Sequence, residues 1–98
     1  MIRAIYRWWV LPEHQADFLS WWHEGTVRIR SSKLGARGST LLSADSDRNH
    51  YVAIARWESL SALTAFWNDP GGVQFEEAEL VSVEVLEEID HLTVEEPC

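Results

Sequence analysis

The chain has 98 residues, a formal net charge of −8 and 46% hydrophobic residues. A chain of this length forms one folding unit, so we expect a single domain over residues 1–98. The acidic charge argues against nucleic acid as a partner, because duplex binding needs a basic surface. No apolar run approaches the length of a membrane span, so we expect no membrane association.

The N-terminal sequence and the cysteine content bear on the cellular compartment. Residues Met1 to His14 contain no basic region followed by a long apolar one, which a secretory leader would need. Cys98 is the single cysteine of the sequence and has no intramolecular partner. We therefore expect a cytoplasmic protein without a disulfide framework.

The first half of the chain predicts a strand followed by a long helix. Ile2–Leu11 is rich in β-branched and aromatic residues and stops before Pro12, which cannot continue a central ladder. A proline suits the first turn of a helix, and Glu13 complements the positive N-terminal end of the helix dipole. The predicted helix covers about Pro12–Arg30 and ends in the "KLGARG" segment.

The centre of the chain predicts a β-hairpin. Ser39–Ala44 and Asn49–Trp57 flank the turn-forming segment "DSDRN". Within the second of these strands, "YVAIA" does not alternate apolar with polar residues, so both of its faces should be covered.

The last third predicts a second helix and a final strand. Ser59 can cap a helix over about Leu60–Asn68. A short helical turn is expected around Val73–Ala78, followed by a strand over "LVSVEVLEEI", Leu80–Ile89. The terminal segment His91–Cys98 should extend against a partner chain or along the sheet edge.

The predicted order is β-α-β-β-α-β, an α+β fold of the ferredoxin-like type with an antiparallel sheet and both helices on one face. Such a sheet leaves its other face open to water, although "YVAIA" is apolar on both sides. A second copy related by two-fold symmetry is the simplest cover, so we expect a homodimer.

The predicted first helix has an unusually wide aromatic face. With Phe18 at its centre, Trp22 lies about 40° to one side and Trp21 about 60° to the other, because helix residues are about 100° apart. Gly25 falls on the same stripe and removes bulk there. Large side chains that fill a small core explain this pattern, and so do flat walls around a cavity for a flat ligand.

Several segments together resemble the antibiotic biosynthesis monooxygenase (ABM) family. They are "GARGSTLLSAD", with a Gly-x-x-Gly before the second strand, "YVAIARWESLSALTAFW", with a Trp-Glu-Ser before a helix, and "RWWVLPEHQADFLSWW". The resemblance implies a dimeric α+β barrel formed by two ferredoxin-like protomers. Some members oxygenate phenolic or anthrone-like polycyclic substrates with O₂ and without metal or flavin, and others degrade haem.

Three positions that the haem-degrading members share can be compared with this sequence. Counting back from Pro12 puts Arg7 where those members have Asn, and counting on from Trp57 puts Phe66 at their Trp and Phe75 at their haem-ligating His. The four histidines also lack metal-ligand spacing. We therefore expect no haem, no metal and no other cofactor.

Two functions remain open. The first is a cofactor-independent monooxygenase acting on a flat aromatic or polyketide-like substrate, with Arg7 at an oxyanion and His50 or Tyr51 handling protons. The alternative is a non-catalytic dimeric module that binds a small aromatic molecule or serves assembly alone. The residues expected to form the walls of the substrate site are Trp9, Trp22, Phe66, Trp67 and Phe75.

The alternation of the first strand assigns its side chains to two faces. The resemblance implies that the Arg7 face lies beneath the helices, because that position lines the pocket of the haem-degrading members. Trp9 would then stand below Trp22, whereas Tyr6 and Trp8 would face the partner sheet.

Overall fold

The computed structural model describes residues 1–44, 47–68, 75, 77–90 and 92. These residues form one antiparallel sheet with the strand order β2-β3-β1-β4, which confirms the predicted α+β fold. The elements in chain order are β1 (Ile2–Val10), a 3₁₀ turn (Pro12–His14), α1 (Gln15–Ser32), β2 (Ala36–Ser43), β3 (His50–Trp57), α2 (Leu60–Trp67) and β4 (Ala78–Glu87).

The start of α1 is fixed to the β2–β3 connection rather than by a side-chain N-cap. The Gln15 side-chain amide donates to the Val10 carbonyl at 3.2 Å and to the Asn49 side-chain oxygen at 3.0 Å. Residues Pro12–His14 form a 3₁₀ turn, so the α-helix begins at Gln15, three residues later than the sequence predicts. The predicted cap of α2 is confirmed, because the Ser59 hydroxyl accepts from the Ala62 N–H at 3.2 Å.

Two glycines set the entry to β2, three residues earlier than predicted. Gly35 has φ +85° and Gly38 has φ +94°, a backbone region that other residues rarely adopt. A Cβ on Gly35 would lie 2.6 Å from the Ala62 Cβ, so the backbone approaches α2 too closely for a side chain. Between Ala36 and Ser39 the pairing with β3 shifts by one residue, as in a β-bulge.

The end of the chain is described in part. β4 begins at Ala78, where the Ala78 N–H donates to the Phe75 carbonyl at 3.2 Å. Half of the turn predicted over Val73–Ala78 lies outside the described residues, as does the segment His91–Cys98 apart from Leu92.

The two faces of β1 are opposite to the prediction. The set beneath the helices is Ala4, Tyr6, Trp8 and Val10, each less than a tenth exposed. Arg7 and Trp9 lie on the face that the helices leave uncovered, called the open face below. The physical reason is desolvation, because the predicted arrangement would bury the guanidinium groups of Arg3 and Arg7 beneath apolar helices.

The core lies between the helices and this face of the sheet. Phe18, predicted at the centre of the α1 stripe, is fully buried. Its ring packs at 5.4 Å from Trp8 and at 5.2 Å from Tyr51, measured between centroids. From α2, Leu63 completes the core.

The open face carries apolar side chains that a single chain leaves uncovered. Val52 and Ile54 of β3 are half-buried, and Leu42, the cross-strand partner of Val52, is 48% exposed. The helices therefore cover one face of "YVAIA" only.

Candidate functional site

A cavity lies between α1 and the helix-covered face of the sheet. It has a volume of about 90 Å³ and is partly open to solvent. Gly25 and Gly38 line it, so no side chain occupies the lining at these two points. The aromatic part of the lining consists of Tyr6, Trp8, Trp21, Trp22, Trp57 and Phe66.

Five of the six aromatic rings of the cavity pack against one another in two groups. Tyr6 stacks on Trp8 with ring centroids 5.5 Å apart and planes 12° apart. Trp21 meets Trp8 edge-on at 6.2 Å, and Trp57 packs against Phe66 at 5.2 Å. Aromatic pairs in these geometries favour fixed ring positions, so the wall can accept the face of another flat ring.

Tyr6, Thr26 and Ser39 bring hydroxyl groups to the lining, and that of Tyr6 is carried on one of these rings. The Tyr6 oxygen accepts a hydrogen bond from the Trp67 indole N–H at 2.8 Å. Burial raises the pKa of the Tyr6 hydroxyl above its ordinary value of 10.0, and the bond from Trp67 offsets part of this effect. At neutral pH the hydroxyl therefore keeps its proton and can donate a hydrogen bond.

The side chains of the described residues offer no metal centre. Within the described ranges, no group of three His, Cys, Asp or Glu residues is placed to hold a metal ion. Over the same ranges, neither helix combines the length and hydropathy needed to span a membrane.

Residues 1–78 match the sequence model of a family described as "Antibiotic biosynthesis monooxygenase". The chain belongs to this family. The match runs from β1 to the first residue of β4 and so includes every residue named above as lining the cavity. No curated protein is significantly similar to the chain.

Several solved structures share the fold at low sequence identity. A Deinococcus radiodurans protein, provisionally assigned as an antibiotic biosynthesis monooxygenase, superimposes with a TM-score of 0.81 at 15% identity, covering 98% of this chain and all of its own. SnoaB from Streptomyces nogalater, a cofactor-independent oxygenase, gives 0.78 at 21%, covering 93% and 95%. The haem degrader MhuD from Mycobacterium tuberculosis, solved with two haems in its active site, gives 0.76 at 18%, covering 95% and 100%.

Four of the five predicted substrate-binding residues lie in the cavity lining or contact a residue of it. Trp22 and Phe66 line the cavity. Trp67 is 40% exposed and reaches the site through its bond to Tyr6. Phe75 packs against Trp21 at 5.3 Å, behind the lining. Trp9 is the exception and lies on the open face.

The three predicted catalytic residues do not meet at the cavity. Arg7 and His50 both lie on the open face, where His50 is paired with Trp9 across the strands. The His50 Nε2 atom is buried there without a hydrogen-bond partner. Tyr51 lies on the helix-covered face but packs against Phe18 rather than lining the cavity.

The sequence analysis missed Tyr6, Trp8 and Trp57 as cavity residues. The signal for the first two was present, because alternation gives one face of β1 without any charged residue and one face with two arginines. Counting from Pro12 to a family position gave the opposite face. Trp57 was used only to mark the end of a strand.

Proposed function

We propose that this ABM-family protein binds a flat aromatic molecule in the cavity beneath α1 and oxygenates it with O₂, without a metal or flavin. The observation that carries the proposal is the aromatic wall, with the protonated Tyr6 hydroxyl as a hydrogen-bond donor inside it. Membership of the family and the fold shared with SnoaB support it as well.

The reaction requires that the substrate supply its own electrons. In an anthrone-like substrate the reacting CH₂ group lies between two aromatic rings that a carbonyl group also joins. This CH₂ group loses its two hydrogens, one oxygen atom of O₂ becomes the new carbonyl oxygen, and the other oxygen atom leaves with the two hydrogens as water. The activated form of such a substrate is an enolate or phenolate. The Tyr6 hydroxyl suits this anion because a neutral donor in a desolvated site stabilises negative charge that develops on an oxygen.

The size of the cavity limits how the substrate sits. A cavity of about 150 Å³ accommodates a benzene molecule, so the present volume of about 90 Å³ admits less than one free ring without movement of its walls. A polycyclic substrate therefore inserts one edge between Trp22 and the sheet. The remainder of the molecule extends through the opening.

Oxygen consumption separates an oxygenase from a binding module. We expect metal-depleted protein to consume about one O₂ per anthrone-like or quinol substrate and Tyr6→Phe to lose most of this activity. Tyr51→Phe is the matched control, because that tyrosine is buried on the same face but does not line the cavity. Tight binding of these compounds without oxygen uptake by the native protein would identify a non-catalytic module instead.

We further propose that two copies pack through their open faces. On this face Trp9 is 38% exposed, Leu42 is 48% exposed and Leu86 is 46% exposed. Exposed apolar edges favour association, and a stable dimer buries about 800 Å² on each partner.

The dimer is tested by mass in solution. We expect light scattering at micromolar concentration to give twice the chain mass, and Ile54→Asp to give the monomer mass. Thr64→Asp, on the exposed side of α2, is the control that should remain dimeric. A monomeric native protein would refute the dimer and leave the proposal for the cavity unaffected.

A further inference from the structure

Two arginines mark the opening of the cavity. Among the residues that line it, Arg28 and Arg30 are the exposed ones, whereas the others are buried or half-buried. They flank Ile29, which also lines the cavity, by one position on each side. Because successive helix residues are about 100° apart, the two cations lie on opposite shoulders of α1.

Each of the two arginine side chains lies next to a glycine of the cavity lining. A Cβ on Gly25 would lie 3.8 Å from an Arg28 terminal nitrogen, and a Cβ on Gly38 would lie 3.7 Å from the Arg30 Cδ. Each arginine therefore lies across a point where the lining has no side chain. A larger residue at either glycine would fill the space between the arginine and the backbone.

The charge around the opening is opposite to that of the whole chain. The sequence has 16 acidic and 8 basic residues, yet no Asp or Glu contributes to the lining. Among the described residues, neither Arg28 nor Arg30 forms an ion pair within 4.0 Å. Glu24, one helical turn before Arg28, also lies beyond that distance.

From this arrangement we infer that the ligand is an aromatic acid, which inserts one edge of its ring into the cavity and keeps its carboxylate at the exposed opening near Arg28 and Arg30. The inference rests on the proposed function, since it specifies the substrate class of the same site. The small volume supports it, because a ligand that inserts only the edge of its ring leaves its substituent at the exposed end. A guanidinium group binds a carboxylate through two parallel hydrogen bonds.

A second role for these arginines makes a different prediction. Arg30 lies in the last turn of α1, where a cation stabilises the negative end of the helix dipole. That role affects the melting temperature and is indifferent to the charge of a ligand. Discrimination between a charged and a neutral ligand of the same shape therefore isolates the inferred role.

The probes are 2-naphthoate and the neutral 2-naphthamide, with binding measured by calorimetry and by quenching of tryptophan fluorescence. We expect the full-length native protein to bind naphthoate at least tenfold more tightly than naphthamide. The double variant Arg28→Gln/Arg30→Gln should lose this preference and leave the affinity for naphthamide unchanged. Arg48→Gln, which removes one positive charge from an exposed arginine away from the cavity, is the control and should retain the preference.

Salt provides an independent measurement. Because the opening is exposed, raising the ionic strength from 0.02 M to 0.5 M, as buffer conditions, should weaken binding of naphthoate several-fold and leave naphthamide unaffected. If both probes bind equally and the double variant changes neither, the inference is overturned while the aromatic site stands. If neither probe binds, and Gly25→Leu leaves oxygen consumption with the anthrone-like and quinol substrates unchanged, the proposed function fails together with the inference.

Discussion

The hydrogen bond between Trp67 and Tyr6 joins α2 to the middle of β1 and places the hydroxyl of the candidate site. It spans 2.8 Å from the indole N–H to the hydroxyl oxygen. We consider Tyr6→Phe, Trp67→Phe and the double variant. Phenylalanine at position 6 preserves the ring that stacks on Trp8 at 5.5 Å, so the first change removes the hydroxyl group alone.

The expected coupling follows from the exposure of the donor. A neutral hydrogen bond in a protein contributes about 0.5–1.5 kcal/mol net, because unfolding returns both groups to water. Trp67 is 40% exposed, so water can replace the lost acceptor and the coupling should lie near 0.5–1 kcal/mol, the lower half of that range. In a domain of this size, 1 kcal/mol corresponds to about 4–8 °C in melting temperature.

Urea unfolding of the four proteins measures the coupling, because the loss of indole bulk in Trp67→Phe cancels in the double-mutant cycle. The unfolding slopes should agree among the variants, which shows that the same surface is exposed in each. A coupling within about 0.3 kcal/mol of zero would refute the bond and with it the fixed position of the hydroxyl.

Three further predictions concern stability. Gly38→Ala should destabilise the fold by about 1–2 kcal/mol through backbone strain. Gly35→Ala should destabilise it by more, because the added Cβ would also meet the Ala62 side chain of α2. Equal losses of unfolding free energy for the two variants in urea would contradict this close approach. Phe18→Ala should cost about 3–5 kcal/mol by thermal unfolding, and a loss under 1 kcal/mol would show that the aromatic core is loosely packed. Because the Tyr6 pKa is raised on folding, unfolded chains ionise first above about pH 10, so stability present below that pH falls as pH rises further. Tyr6→Phe should reduce this decline, and a constant difference between the two proteins from pH 8 to pH 11, as buffer conditions, would argue against it.

The order of helices and strands was predictable because each segment carried a local signal. Alternation and β-branched residues marked the strands, and Ser59 marked the start of α2. The early start of β2 was not predictable in the same way, because it depends on Gly35 and Gly38 adopting positive φ. A glycine in a sequence permits this conformation without requiring it, and only the contact of Gly35 with α2 decides the matter.

The orientation of β1 was within reach of the sequence and was nevertheless predicted wrongly. The adjacent pair Trp8 and Trp9 must divide between two faces, and nothing in two identical side chains says which goes where. Their neighbours decide, because Tyr6 accompanies Trp8 whereas Arg7 accompanies Trp9. Burying Arg7 without an acidic partner would cost several kcal/mol, a large part of the stability of a small domain.

The reversed orientation also changes which experiment addresses which surface. Trp8 lies in the core and lines the cavity, so Trp8→Phe should alter ligand binding. Trp9 is 38% exposed on the open face, so Trp9→Ala should weaken the proposed dimer. The two tryptophans thus report separately on ligand binding and on dimer formation, although they are adjacent in the chain. The effect of Trp9→Ala on ligand binding can be measured without the dimer by adding it to the monomeric Ile54→Asp variant. A loss of ligand affinity in that comparison would show that the open face belongs to the ligand site after all.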